Sequence, residues 1–376
     1  MGSGLKWSAE EEHLLRLLLP THTFDEVENE FITRHKESVS GFRCPRSSDA
    51  IRRKCERDNI EPEAYADYTP NHNPVMDQWK AINELQKRYE SECVASTRGL
   101  IPPDKIARKI VSFSDIHFPM ARIDKLKEVL ELHRDADIAV VNGDLLEGYA
   151  FSTFDKTKRI AMLHEYQLAF KFVHVLQQTF KTVVLVSGNH DARAAKSLKR
   201  SGYEEETAQI LRPDLIARIA NGEVLDSTGM LVEKLDFSNV LYQPIENWYV
   251  RIGKTIFAHP HSKGSGQPGF TVNKLHKDYF SKRYSTSDYD SIVCGHVHKL
   301  YKGVVNNTLL IEQGCFAGLL EYAFTPDLRF TPDAMNGYAV IYQDKEGNTC
   351  FNKSTTYFLG EVMPPKKPVI VNIEEM

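Results

Sequence analysis

Six short apolar runs, KIVSFSD, DIAVVNGD, KTVVLVSGNHD, KTIFAHPH, DSIVCGHVH and NTLLIEQG, recur between Lys109 and Gly314, and each of the first five ends in polar or ionisable residues. Their length and β-rich content predict strands. Helical periodicity over Ile123–His133 and Arg159–Phe180 separates the early ones. Alternation of this kind predicts an α/β core whose functional groups gather beyond strand C-termini. A later stretch, GYAVIYQDKEGNTCFNKSTTYF, predicts an antiparallel hairpin turning near Glu346–Asn348.

The first sixty residues read differently, as three short helices. WSAEEEHLLRLLL places Ser8 as an N-cap with Glu11 three positions on, a capping box. TFDEVENEFI opens a second helix with Phe24, Val27 and Phe31 on one stripe. RSSDAIRRKCERDNI gives a third, capped at Ser47 or Ser48, with Ala50, Ile51 and Cys55 inward and Arg46, Arg52, Arg53, Lys54 and Arg57 outward. Pro, Glu, Asp, Tyr and Asn from Glu61 to Asn73 read as a linker, and Pro74–Thr97 as a spacer helix. The expected division is a three-helix domain at 1–60, linker and spacer at 61–107, the α/β domain at 108–360 and a tail at 361–376.

Composition narrows the class. An apolar share of 41%, a charged share of 26% and a net charge of −4 describe an ordinary globular chain, so any nucleic-acid binding must come from a local patch. Arg43–Arg57 supplies one: six basic residues, Arg43 among them, against Asp49 and Glu56. The six cysteines form no CxxC pair and no secretory apolar segment opens the chain, which suggests a reducing cytoplasm. No apolar run approaches the roughly 20 residues of a membrane span.

Asp115 and His117 in FSDIHF, Asp144 in VNGDLLEG, Asn189, His190 and Asp191 in SGNHDA, His259 and His261 in FAHPHS, and His296 and His298 in CGHVHK all follow runs read as strands. On extended backbone, residues i and i+2 point the same way, so Asp115/His117 and His296/His298 would each offer two side chains to one site. A lone DxH or HxH is a common accident, and GNHD alone fits a strand-to-helix turn. Five such elements in order are not an accident. Carboxylates, an amide and several imidazoles suit paired Mn²⁺, Fe or Zn²⁺, and Asp144 is the candidate bridge.

The series Asp115-x-His117, Gly143-Asp144, Gly188-Asn189-His190-Asp191, His259 and Gly295-His296-x-His298 resembles the calcineurin-like metallophosphoesterase superfamily over residues 108–345. The resemblance implies a four-layer α/β/β/α sandwich, here preceded by the small three-helix domain. It implies two divalent ions, Mn²⁺ foremost with Fe, Zn²⁺ and Mg²⁺ as alternatives. One ion would sit on Asp115, His117 and His298, the other on Asn189, His259 and His296, with Asp144 bridging. His259 is preferred over His261 as the ligand, leaving His261 beside the substrate, and the reverse stays open. His190 would stand by the substrate phosphate and, as an imidazolium, either protonate the leaving alkoxide or stabilise the developing charge. Its orienting carboxylate is either Glu147, where relatives with GDxxD carry Asp, or Asp191. The implied reaction is two-metal hydrolysis of a phosphoester by a hydroxide held between the ions.

The N-terminal module bears on the substrate. Its three segments resemble a Myb/SANT-like helix-turn-helix, with Trp7 as the inward aromatic, and Arg193 and Lys196 just after GNHD are candidate backbone contacts. The expectation is a DNase with DNA as partner and a site similar to that of double-strand-break repair nucleases. A helix-turn-helix fused directly to such a domain resembles a phage-encoded DNase acting in the host cytoplasm. Tyr203–Trp248 is the candidate substrate-selecting insertion, and Tyr322, Phe324 and Phe330 are candidate base-stacking residues. The alternatives are an esterase of small nucleotides or phosphoproteins, or a DNA-binding regulator on an inactive scaffold. Self-association stays open.

Overall fold

The computed structural model describes residues 6–19, 22–37, 41, 46–58, 74–87, 98–152, 159–202, 212–242, 248–261, 264, 267–318, 320 and 334–362. The linker at 61–73, Arg43, the aromatics Tyr322, Phe324 and Phe330, and the tail from 363 lie outside the described residues. The chain forms two units, residues 1–95 and 96–376.

In the first unit, α1 (Ala9–Leu18) carries the Ser8–Glu11 capping box, α2 (Phe24–Lys36) a second one from Thr23 and Glu26, and α3 (Ser48–Arg57) is capped by Ser47. A fourth helix, α4, spans Pro74–Lys87. Leu14, Leu15, Leu19, Val27, Phe31, Ile51 and Cys55 form one small core with Trp7, Leu18 and Phe24 at its edge.

Two of the basic residues expected outward are not there. Arg46 is buried, pairs with Glu11 at 2.6 Å and lies over the Trp7 ring at 4.6 Å. Lys54 is only 7% exposed because it closes α3 onto α1 through Glu12 and onto its own C-terminus through Asp58. A buried cation must be paired, so both guanidinium and ammonium are committed to this fold. Arg52, Arg53 and Arg57 remain exposed.

In the larger unit the strands run β1 (Arg108–Phe113), β2 (Ile138–Asn142), β3 (Thr182–Val186), β4 (Glu223–Leu225), β5 (Leu231–Lys234), β6 (Val240–Tyr242), β7 (Tyr249–Ile252), β8 (Thr255–Ala258), β9 (Ser291–Cys294), β10 (Leu300–Val305), β11 (Thr308–Gln313), β12 (Met335–Gln343) and β13 (Thr355–Glu361). One sheet has the order β13-β12-β1-β2-β3-β6 and another β10-β11-β9-β8-β7, while β4 and β5 pair separately. Strands β1, β2, β3 and β6 are parallel neighbours, as are β8, β9 and β11. The helices are α5 (Ile123–Leu132), α6 (Met162–Thr179), α7 (Arg193–Arg200), α8 (Leu215–Ala220) and α9 (Phe270–Lys274).

Alternation along the strands builds the layers. Ile110, Val140 and Val184 of the first sheet meet Phe257, Val293, Leu309 and Ile311 of the second in one buried cluster. Their neighbours Val111, Phe113, Val141 and Val183 turn the other way, onto Leu126 and Val129 of α5 and Val173 and Leu176 of α6. On the far side of the second sheet, Ile256, Ala258, Ile292 and Leu310 pack with Val272 of α9 and with Phe280. The result is the α/β/β/α sandwich, and each such fully buried aliphatic or Phe side chain contributes about 1.5–3 kcal/mol.

Residues 98–107, read as the end of a linker, belong to this unit. Arg98 donates to the Thr286 carbonyl at 2.6 Å, and the Phe351 N–H donates to the Gly99 carbonyl at 2.9 Å. Strands β12 and β13 form the expected antiparallel pair, with Val340 opposite Thr355, but residues 344–354 make a longer connection than a tight turn. No helix among the described residues is long and apolar enough to cross a membrane.

Candidate metal centre

Strands β1, β2, β3, β8 and β9 all end at one edge of the sandwich, and the chain bends sharply just beyond them. Asp115 (φ 53°), His117 (φ 54°), Asp144 (φ 53°), His296 (φ 77°) and His298 (φ 54°) are all left-handed. This corrects the extended-backbone reading of Asp115/His117 and His296/His298: turns, not strand alternation, aim them. Side chains with a Cβ rarely accept such angles, which cost of order 1–3 kcal/mol each and cluster at functional sites. Close approach also dictates two glycines. A Cβ on Gly143 would enter the His259 ring, and one on Gly188 would enter the Asp144 carboxylate.

The bends bring the ligating atoms of Asp115, His117 and His298 within 4.8 Å of one another, and likewise those of Asp144, His259 and His296. His298 Nε2 lies 3.0 Å from Asp115 Oδ1 and 3.4 Å from His117 Nε2. Asp144 Oδ2 lies between the two groups, 3.8 Å from His117 Nε2 and 3.1 Å from His259 Nε2. Asn189 Oδ1 approaches His259 Nε2 at 3.3 Å.

Four of the ligating side chains, Asp115, Asp144, His259 and His117, have a partner behind them. Asp115 Oδ2 accepts from the His296 N–H at 2.9 Å, which leaves Oδ1 inward; Asp144 Oδ1 accepts from the His190 N–H at 2.8 Å, which leaves Oδ2 inward. His259 Nδ1 donates to the Asn142 carbonyl at 2.8 Å, and His117 Nδ1 lies 2.7 Å from Glu147 Oε2. A backbone acceptor of this kind keeps a proton on Nδ1 of His259 and turns Nε2 to the site, whereas Glu147 sits beside His117 as a charge partner.

The ligating atoms therefore converge in one space, buried at Asp115, His117, Asp144 and His259 and part-exposed at Asn189, His296 and His298. Burial alone would push Asp115 and Asp144 up, but the imidazoles of His298 and His259 beside the first, and of His259 and His190 beside the second, hold both well below the usual carboxylate range. Burial likewise opposes charge on the imidazoles, yet Asp115 and Glu147 carry His117 up to about 10, and Asp144 and Asp115 carry His259 up to about 9. His296, desolvated and facing His259, falls to about 4. The donor set calls for positive charge at its centre, and its mix of carboxylate, amide oxygen and imidazole fits divalent cations.

His190 stands at the rim, 8% exposed, with Nε2 at 3.9 Å from Asp144 Oδ2. Its Nδ1 lies 3.1 Å from the Glu147 carbonyl and 3.2 Å from the Glu147 carboxylate. Glu147 is thus its neighbour. Asp191 is not: its carboxylate accepts from the N–H groups of Leu146 at 2.9 Å and Gly188 at 2.8 Å, tying the two loops together. His261 joins neither ligand group, its Nε2 lying 3.2 Å from the Ser187 carbonyl. Cys294 is buried beneath α9 with its thiol held well above the usual range by burial.

Arg193 departs from the sequence reading. Instead of reaching outward for a substrate backbone, Nη1 donates to the Glu147 carbonyl at 2.6 Å and carboxylate at 2.9 Å, and Nη2 donates to His190 Nε2 at 3.1 Å. Sequence reasoning missed this clamp, although His190 and Arg193 sit three apart at the turn that opens α7. It also missed Glu165, whose carboxylate accepts from the N–H groups of Gly148 at 2.7 Å and Tyr149 at 2.9 Å and so shapes the loop carrying Glu147. No local pattern marks that residue.

Among solved structures the chain is similar to an archaeal phosphodiesterase, at 13% identity and TM-score 0.33 over 67% of this chain and 99% of that one. It is also similar to Vps29 of Chaetomium thermophilum, at 14% and 0.31 over 69% and 99%. A hypothetical protein of Pyrococcus horikoshii matches at 9% and 0.36 over 67% and 87%. No curated protein matches. Residues 108–300, just over half of the chain and the whole span from β1 to the last ligand turn, match the model of the calcineurin-like phosphoesterase family. By that match and by the ligand geometry, the chain belongs to the calcineurin-like phosphoesterase family.

Proposed function

We propose that the protein is a metal-dependent phosphodiesterase that hydrolyses DNA. The observation that carries this reading is the convergence of two ligand groups on Asp144 with His190 at their rim. Asp115, His117 and His298 would hold one divalent ion, Asn189, His259 and His296 a second, and Asp144 would serve both. When bound, such ions supply Lewis acidity that polarises a phosphoryl group and acidifies water.

The chain's own residues do the rest. The Asn142 carbonyl fixes the ring of His259, Glu147 pairs by charge with His117, and the anchored carboxylates keep one oxygen each turned inward. A diester's leaving group is a poor one, an alkoxide that needs a proton. His190 would deliver it from Nε2 once protonated there; in this structure Nδ1 donates to the Glu147 carbonyl, Nε2 accepts from Arg193, and burial holds the imidazole below its ordinary range. Arg193 holds both residues in place. DNA is favoured over a small phosphoester by the basic residues of α7 at the site and by Arg52, Arg53 and Arg57 on the exposed face of α3.

Digestion of circular and linear DNA side by side with Mn²⁺ tests the reading. Loss of either substrate, abolished by Asp144→Asn, supports it, and survival of the circle alone marks an exonuclease. Turnover of cyclic nucleotides with every form of DNA left intact would sink it.

A further inference from the structure

Helix α7 starts at the metal centre and leads away from it. Arg193, Lys196 and Arg200 follow one another at i, i+3 and i+7, which places them on one face. That face is about 10 Å long at 1.5 Å per residue. Arg193 is committed to Glu147 and His190. Lys196 is not comparably committed: it is half-buried, and among the described residues no carboxylate or carbonyl accepts from its ammonium.

Its surroundings make that unusual. The residues one turn away that carry charge, Arg193, Lys199 and Arg200, are all cations. Burial pushes the ammonium below its ordinary range, and Lys196 follows Arg193, whose guanidinium touches His190 at the site, by one turn on the same face of the helix. A half-desolvated ammonium among like charges gains most from an incoming anion.

We propose that Lys196 is a subsite for the phosphate adjacent to the scissile one on a polynucleotide strand, with Arg200 continuing the track outward. This rests on the phosphodiesterase reading and adds a rule to it: the enzyme selects a diester that carries a neighbouring phosphate. A strand whose scissile phosphate lies against Asp144 and His190 meets Lys196 one helical turn further along.

The test compares a thymidine dinucleotide, which holds one diester and no flanking phosphate, with the same dinucleotide phosphorylated at its 5′ or its 3′ end. Full-length protein should favour one of the two phosphorylated forms over the plain one by about tenfold in kcat/KM. The metal-free protein should bind that form more tightly by a similar factor. In Lys196→Gln both ratios should fall to about one, and Lys196→Arg should retain them, whatever happens to the absolute rates. Equal kcat/KM for all three dinucleotides, or a preference that survives in Lys196→Gln, would overturn the subsite while leaving the phosphodiesterase standing. Failure to cleave any dinucleotide, DNA or bis(p-nitrophenyl) phosphate would overturn both.

Discussion

His259 Nε2 lies 3.1 Å from Asp144 Oδ2 while His259 Nδ1 donates to the Asn142 carbonyl, so the ring nitrogen that would ligate a cation lies against a buried carboxylate. A cation relieves that contact, and binding of one to the folded chain alone raises stability by mass action. Mn²⁺ at a hundredfold excess over its Kd should therefore add about 3 kcal/mol per site, read as a rise in Tm that a chelator reverses. In Asp144→Asn the rise should shrink by most of that amount. A Tm indifferent to metal in the unaltered protein would contradict the ligand assignment.

His190→Ala should lower kcat on DNA by about 10²–10⁴-fold, the usual contribution of a positioned proton donor. The loss should be far smaller on bis(p-nitrophenyl) phosphate, whose leaving group departs without a proton. Equal losses on both substrates would assign His190 to phosphate binding instead.

Glu165 supplies a pH signature. Burial, reinforced by the Glu147 charge and opposed by two backbone N–H donors, pushes its carboxyl up from 4.5 to about 7. The folded state thus holds a proton that the unfolded state releases from about pH 4.5 upward. The stability it contributes is full below that pH and is lost as pH rises through 7. Thermal melts of Glu165→Gln and the unaltered protein should show the variant gaining, relative to the parent, between pH 5 and pH 8. A constant offset would contradict the shift.

The N-terminal cations separate into two roles. Arg46→Ala strands Glu11, fully buried, and should cost about 3–5 kcal/mol of that unit's stability in a urea melt. Replacing Arg52, Arg53 and Arg57 together by Ala should leave the melt alone and flatten the dependence of log K for DNA on log salt, by about 0.9 for each phosphate no longer neutralised. An Arg46→Ala protein with an unchanged melt and weakened DNA binding would return Arg46 to the exposed face.

Much of the fold was legible because each strand of the sandwich centre is short, apolar on both faces and ends in a motif. β6, β7 and β10 were not, since their partly exposed residues break the apolar run. The ligand residues could be named from their order along the chain, whereas the means of aiming them could not. Left-handed turns at Asp115, His117, Asp144, His296 and His298 leave no mark in composition. Charge misled at Arg46 and Lys54, where helical periodicity put a cation on the surface and a buried carboxylate or a helix end drew it in. At Arg193 the sign was read correctly and the partner was not: Glu147 and His190 come from elements separated by the whole of α6.

The proposed dinuclear phosphodiesterase requires two ions at one ligand set around Asp144. Metal-free protein titrated with Mn²⁺, with bound metal and cleavage of a linear DNA strand followed together, tests it most directly. The rate should reach its plateau as occupancy approaches two ions per chain. Full activity at one ion per chain, or without any, would contradict that requirement.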